Sequence, residues 1–144
     1  MSTLKRFSIA LGKPESTGRL LIGLVGPSGC GKSTVAKLAV ENKDANFTEY
    51  SMASPLKMAA IALGFSEKSV LGTQEEKMEK DKFWGISGRK FLQIFGTDVC
   101  RDYLPKLLPE MEGIWISLMS KFVTENKEKN IIVSDVRFPD EAEA

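Results

Sequence analysis

Residues 20–34 read Leu20-Leu21-Ile22-Gly23-Leu24-Val25-Gly26-Pro27-Ser28-Gly29-Cys30-Gly31-Lys32-Ser33-Thr34. The run 20–25 is short and continuously apolar, and it ends at a glycine. That is the pattern of a strand buried on both faces in a parallel sheet. From Gly26 to Ser33 the chain fits G-x-x-x-x-G-K-[ST] residue for residue. The glycines permit turns that side chains resist, and they let an anion approach the backbone closely. Successive N–H groups in such a loop form an anion nest, and the helix that follows adds the positive end of its dipole. The expected phosphate contacts are Gly26, Ser28, Gly29, Cys30, Gly31, Lys32, Ser33 and Thr34. Lys32 reaches the β- and γ-phosphates of a bound nucleotide, and Ser33 supplies a hydroxyl for Mg²⁺.

Outward from this loop, Ser33 to about Lys43 reads as a helix, with Val35, Leu38 and Ala39 on one face. A weakly alternating strand is expected over Phe47–Met52. Pro55–Leu63 reads as a helix stopped at Gly64. The charged run Glu75–Lys82 reads as a solvated helix face. Phe91, Phe95, Val99 and Tyr103 recur every four residues, the spacing of a buried helix stripe over 88–103. Ile114 to about Lys127 is a further amphipathic helix. Asn130–Val136 is the last strand, and the first turn of another helix follows over 140–144. The elements predict an α/β fold: a P-loop NTPase-like parallel sheet flanked by helices. Residues 1–19 read as a flexible lead-in and 20–144 as a single kinase-like domain. The chain stops inside an expected helix with three strands counted, so the domain is expected to be C-terminally incomplete.

The chain has 144 residues, 42% of them apolar, which suffices for one core. Its 20 basic and 19 acidic residues leave a net charge of +1, which offers no electrostatic case for a nucleic-acid polymer or a membrane. No run is long enough to span a bilayer, and no signal peptide is evident, so a cytoplasmic setting is expected. There are two cysteines, without a CxxC pair, and no histidine. A thiolate zinc site and Ser-His or Cys-His catalysis are thereby excluded. The chemistry must rest on Lys, Arg, Asp, Glu, backbone amides and a hard metal ion.

Asp135 closes the apolar run Ile131-Ile132-Val133 and fits the carboxylate that a metal-bound nucleotide needs on a neighbouring strand. A cap on the following turn is its structural alternative. Arg137 lies two residues on, and alternate strand residues share a face. A carboxylate for the metal and a guanidinium for phosphate suit phosphoryl transfer. Lys32, Asp135 and Arg137 are therefore the candidate catalytic residues, with Ser33 and Asp135 as metal ligands. The stretch 84–101 (WGISGRKFLQIFGTDVCR) embeds Arg89, Lys90 and Arg101 in an otherwise apolar pattern, as cations facing an anion or as ordinary surface charges.

Several stretches together resemble the deoxynucleoside monophosphate kinases of phages and large DNA viruses. They are GPSGCGKST; Ala53-Ser54-Pro55-Leu56-Lys57; Arg89-Lys90-Phe91-Leu92-Gln93 with Gly96-Thr97 and Arg101; Trp115; and Asp135-Val136-Arg137-Phe138-Pro139-Asp140-Glu141. They come in the family's order and span 20–144. The last stretch is close to the family's D-V-R-F-x-N-E, with Asp140 in place of Asn. The resemblance implies an enzyme that transfers the γ-phosphoryl of ATP, with Mg²⁺, to a deoxynucleoside 5′-monophosphate. It implies an acceptor side lined by Lys57, Arg89, Gly96, Thr97, Arg101, Trp115, Asp135, Arg137 and Glu141. Trp115 would either stack on a base or pack in the core. A homodimer and a host-cytoplasm setting are compatible with it. Two other readings stand beside it: a P-loop kinase of another small molecule, and a non-catalytic ATP-binding fragment.

Overall fold

The structure is a computed structural model that describes residues 8–11, 19–26 and 31–136. In chain order the elements are β1 (Ser8–Leu11), β2 (Leu21–Val25), α1 (Lys32–Glu41), β3 (Phe47–Tyr50), α2 (Ser54–Ala62), α3 (Glu67–Leu71), α4 (Gln74–Met78) and α5 (Gly88–Gln93). A π-helix over Ile94–Tyr103 follows, then α6 (Leu104–Leu107), α7 (Ile114–Glu125) and β4 (Asn130–Val136). The chain divides into two compact units: Met1–Met52 with Ile116–Ala144, and Ala53–Trp115. The first carries the sheet and the second is helical.

In the sheet unit the strand order is β1-β2-β4-β3. β4 runs parallel to both β2 and β3, as a strand apolar on both faces requires. Its Ile131, Ile132 and Val133 are each at most 2% exposed. Leu24, Ala36 and Ile132 form the centre of this core, with Ile22, Val35, Ala39 and Phe47 packed around them. β1 pairs antiparallel with β2 along the sheet edge. The sequence reading assigned these residues to a flexible lead-in; the alternation of Ile9 and Leu11 with smaller neighbours was too short to separate a strand from a loop. The first turn expected over 140–144 lies outside the described residues.

The helical unit has its own core, Ala60, Phe65 and Val70, against which Ile61, Phe91 and Leu92 pack. Its short helices begin at side-chain caps. Ser66 accepts from Ser69 N, Thr73 and Glu76 form a reciprocal capping box, and Ser87 accepts from Lys90 N. Gly88 opens α5 hard against the α3 backbone: a Cβ there would stand 1.9 Å from the Ser69 carbonyl oxygen.

Two sequence expectations are corrected here. The stripe over 88–103 assumed α-helical turns, but from Ile94 the turns widen to i→i+5 closure. Residues four apart then drift around the axis. Phe91 and Phe95 still stack, with ring centroids 5.1 Å apart. Tyr103, however, is 55% exposed, while Gly96 and Cys100 are buried instead. The run 75–82 is not one solvated helix. α4 ends at Met78, and Asp81 is only 4% exposed.

Among the described residues, no helix is long and apolar enough to cross a membrane.

Candidate functional site

Because β2, β4 and β3 are parallel, their C-terminal ends lie along one edge of the sheet. Such an edge is where open α/β sheets bind ligands. It gathers Gly26 after β2, Tyr50, Ser51 and Met52 at the end of β3, and Asp135 near the end of β4.

Gly31 sits at the N-terminus of α1 with φ +103°, a left-handed conformation that favours glycine. Among the described residues, no side chain caps this helix and no acid stands in its first turn. Its leading N–H groups and the positive end of its dipole are therefore not neutralised by its own side chains. Lys32 Nζ donates to the Gly26 carbonyl at 2.6 Å, which draws the ammonium back toward the end of β2. Ser33 and Thr34 are exposed on the same turn. These features fit an anion such as a nucleotide phosphate. Ser28, Gly29 and Cys30 lie outside the described residues, as do Arg137 and Glu141.

Asp135 is held firmly. Its Oδ1 accepts from Met52 N at 2.6 Å and its Oδ2 accepts from Ser51 Oγ at 2.8 Å. Pairing shifts between Gly23–Val133 and Val25–Val136, so two residues of β4 oppose Leu24 alone. This bulge interrupts the strand's alternation at Ser134–Asp135, and such bulges commonly re-aim a side chain near a site. A carboxylate has about four lone-pair positions, and these two bonds fix the orientation of the group. Ser33 and Asp135 offer hard oxygen donors of the kind Mg²⁺ takes alongside phosphate oxygens and water. Among the described residues, no group of three His, Cys, Asp or Glu side chains could hold a metal by itself. Tyr50 packs its ring on Phe122 at 4.9 Å. Burial, and then the Asp135 charge, push its phenol above the ordinary tyrosine range. Ser51 and Tyr50 were not singled out from sequence; Tyr50 ends a weak strand and Ser51 follows it, with no motif around them.

The remaining candidates belong to the helical unit. Arg89 on α5 is exposed, and its Nη1 donates to Gln74 Oε1 at 3.1 Å. Lys57 on α2 is half-buried. Gly96, Thr97 and Arg101 lie together on the π-helix, a form often found at functional sites. Gly96 lets α2 come close: a Cβ there would meet Leu56 Cδ2 at 2.6 Å. Trp115 Nε1 donates to the Gly96 carbonyl at 2.9 Å, tying the start of α7 to the π-helix. That bond occupies the indole N–H, so any contact with a base would be through the ring face.

Asp81 was missed because it reads as one charge in a charged run. Its carboxylate accepts from Ser66 N (3.0 Å), Ser69 Oγ (2.8 Å), Phe83 N (2.9 Å) and Trp84 N (3.3 Å). These bonds, the Ser66 amide first, hold it well below the usual carboxylate range. It is a fully engaged structural knot.

A glycine-turned strand-to-helix junction on a parallel sheet, with an anchored carboxylate on the adjacent strand, defines an α/β protein of the P-loop kinase type. Comparison with known proteins narrows the class. The chain is 38% identical to a protein of Acanthamoeba polyphaga mimivirus provisionally named a deoxynucleotide monophosphate kinase; the match covers 86% of this chain and 67% of that protein. It is 25% identical to the deoxynucleoside-5′-monophosphate kinase of Escherichia phage T5, over 86% of this chain and 70% of that enzyme. No family model matches, and no solved structure does. The chain belongs to the viral and phage deoxynucleotide monophosphate kinase family.

Proposed function

We propose that the protein transfers the terminal phosphoryl group of ATP to a deoxynucleoside 5′-monophosphate, giving ADP and a deoxynucleoside diphosphate. The observation that carries this reading is the α1 N-terminus, glycine-turned, fronted by Lys32 and without a side-chain cap among the described residues. Family membership supports the choice of acceptor.

In this reading the backbone of Gly26, Ser28, Gly29, Cys30 and Gly31, with Ser33 and Thr34, cradles the ATP phosphates. Lys32 exchanges its bond to the Gly26 carbonyl for the β- and γ-phosphate oxygens. Ser33 and Asp135 would hold Mg²⁺, which would neutralise phosphate charge when bound. Ser51 and the Met52 amide keep the Asp135 carboxylate in place. Lys57, Arg89, Gly96, Thr97, Arg101, Trp115 and Glu141 serve the acceptor. Arg137 contacts the transferring group.

An acceptor phosphate oxygen attacks the γ-phosphorus. The bond from that phosphorus to the β–γ bridging oxygen breaks, and the electron pair leaves with ADP. No covalent enzyme intermediate is needed, because fixed cations stabilise the charge as it moves.

The test is ADP release from ATP and Mg²⁺ with each deoxynucleoside monophosphate in turn, with the Lys32→Ala protein as the blank. Acceptor-dependent ADP above that blank is expected. ADP release that ignores the acceptor would replace this reading with an ATPase. ATP binding without release would favour a non-catalytic role.

A further inference from the structure

Three cations of the helical unit come from three different helices: Lys57 from α2, Lys77 from α4 and Arg89 from α5. α5 packs against both α2 and α4. The bond from Arg89 to Gln74 ties α5 to α4 at 3.1 Å. Gln74 and Lys77 are three apart on that helix and so share a face. Lys57 and Lys77 are both half-buried. Among the described residues the ion pairs are Lys37–Glu41 and Lys121–Glu125, and none of the three cations reaches a carboxylate. Glu76, the nearest acid in sequence, is engaged in the capping box with Thr73. Burial, followed by the charges of Lys57 and Arg89, holds the Lys77 ammonium below the ordinary lysine range.

A half-buried lysine held near two other cations, with no acid at ion-pair distance among the described residues, raises the free energy of the empty fold. The same arrangement draws an anion in. We propose that Lys77 joins Lys57 and Arg89 in a three-cation subsite for the 5′-phosphate of the acceptor nucleotide, with Gln74 as the positioning residue for the Arg89 guanidinium. A phosphate monoester near neutral pH carries close to two negative charges and three acceptor oxygens. Two point-charge ammonium groups and one planar fork match it in charge and in donors. The choice of acceptor rests on the function proposed above; the subsite as an anion site does not.

The test is a binding titration of the full chain with a deoxynucleoside 5′-monophosphate, with the same nucleoside lacking phosphate, and with inorganic phosphate. The proteins compared are wild type, Lys77→Gln, Lys77→Arg and, as an exposed control, Lys82→Gln. Lys77→Gln is expected to weaken both phosphate-bearing probes by about tenfold, the scale of one charged hydrogen bond. Lys77→Arg should recover most of that loss, and Lys82→Gln should match wild type. Lys77→Gln should melt no lower than wild type, because it removes like-charge repulsion; a merely structural lysine would lower the melting temperature. Unchanged affinity of Lys77→Gln for both probes overturns the proposal, as does failure of wild type to bind either. Lys77-dependent binding of inorganic phosphate without binding of any nucleotide keeps the anion subsite and removes the kinase acceptor from it.

Discussion

The α1 N-terminus in the sheet unit and the Asp81 knot in the helical unit both gather hydrogen-bond donors that suit negative charge. They differ in where the charge comes from. At the α1 N-terminus the leading N–H groups follow one another along the chain, and the anion of the proposed function would arrive from solution. At Asp81 the donors come from Ser66, Ser69, Phe83 and Trp84, and the chain supplies its own carboxylate. A site for a ligand leaves its donors unsatisfied and costs stability, while a structural knot satisfies them and contributes it. The first is written as a contiguous motif; the second exists only once the chain has folded back on itself.

The comparison breaks most visibly at Lys32. Lys32→Ala should lower phosphoryl transfer by about a hundredfold or more while leaving the fold intact, because in the proposed function the residue acts on developing charge. Its only described bond is to the Gly26 carbonyl, so thermal unfolding should hardly move. A large loss of stability with retained transfer would make the loop structural.

In the helical unit the order of effects should reverse. Gly88→Ala forces a Cβ toward the Ser69 carbonyl, a backbone atom that cannot rotate away. Overpacking of this kind costs about 1–3 kcal/mol or more. Denaturant titration should show the loss, and an unchanged midpoint would mean that α3 and α5 slide apart freely.

Asp81 adds a pH signature. Its carboxyl is held below its unfolded value, so its contribution is complete above about pH 5 and fades as pH falls through 4 and lower, given an unfolded aspartate near 3.9. The stability difference between wild type and Asp81→Asn should therefore be largest near neutrality and shrink in acid. An equal difference at pH 3 and pH 7 would contradict the knot.

The smallest effect is expected beside the site. The Tyr50 hydroxyl is buried and has no hydrogen-bond partner among the described residues. Tyr50→Phe should be neutral or up to about 1 kcal/mol stabilising in thermal unfolding. A clear loss would reveal a partner such as an ordered water.

Strands β2 and β4 and helix α1 of the sheet unit were legible because each depends on neighbours within a few residues; the roles of Lys32, Ser33 and Asp135 rest on the same local pattern and stand as proposals. A buried parallel strand is an unbroken apolar run, and a phosphate nest is a glycine spacing. β1 was missed because four residues carry too little alternation. Over 88–103 the four-residue spacing was real, but its translation into a buried face failed, because only the packed structure shows the turns widening after Gln93. Asp81, Ser51 and Lys77 lay beyond sequence reasoning. Each is an ordinary polar residue locally, and its role depends on groups distant in the chain.

The sequence by itself determined the α/β class, the glycine-turned strand-to-helix junction and the kinase family, because periodicity and glycine-set backbone geometry are local. Tertiary structure decided which carboxylate is a knot and which faces the sheet edge, how the π-helix turns, and which lysines stand together without an acid. Those outcomes depend on burial and on side chains meeting across the fold, and neither quantity exists until the chain has packed.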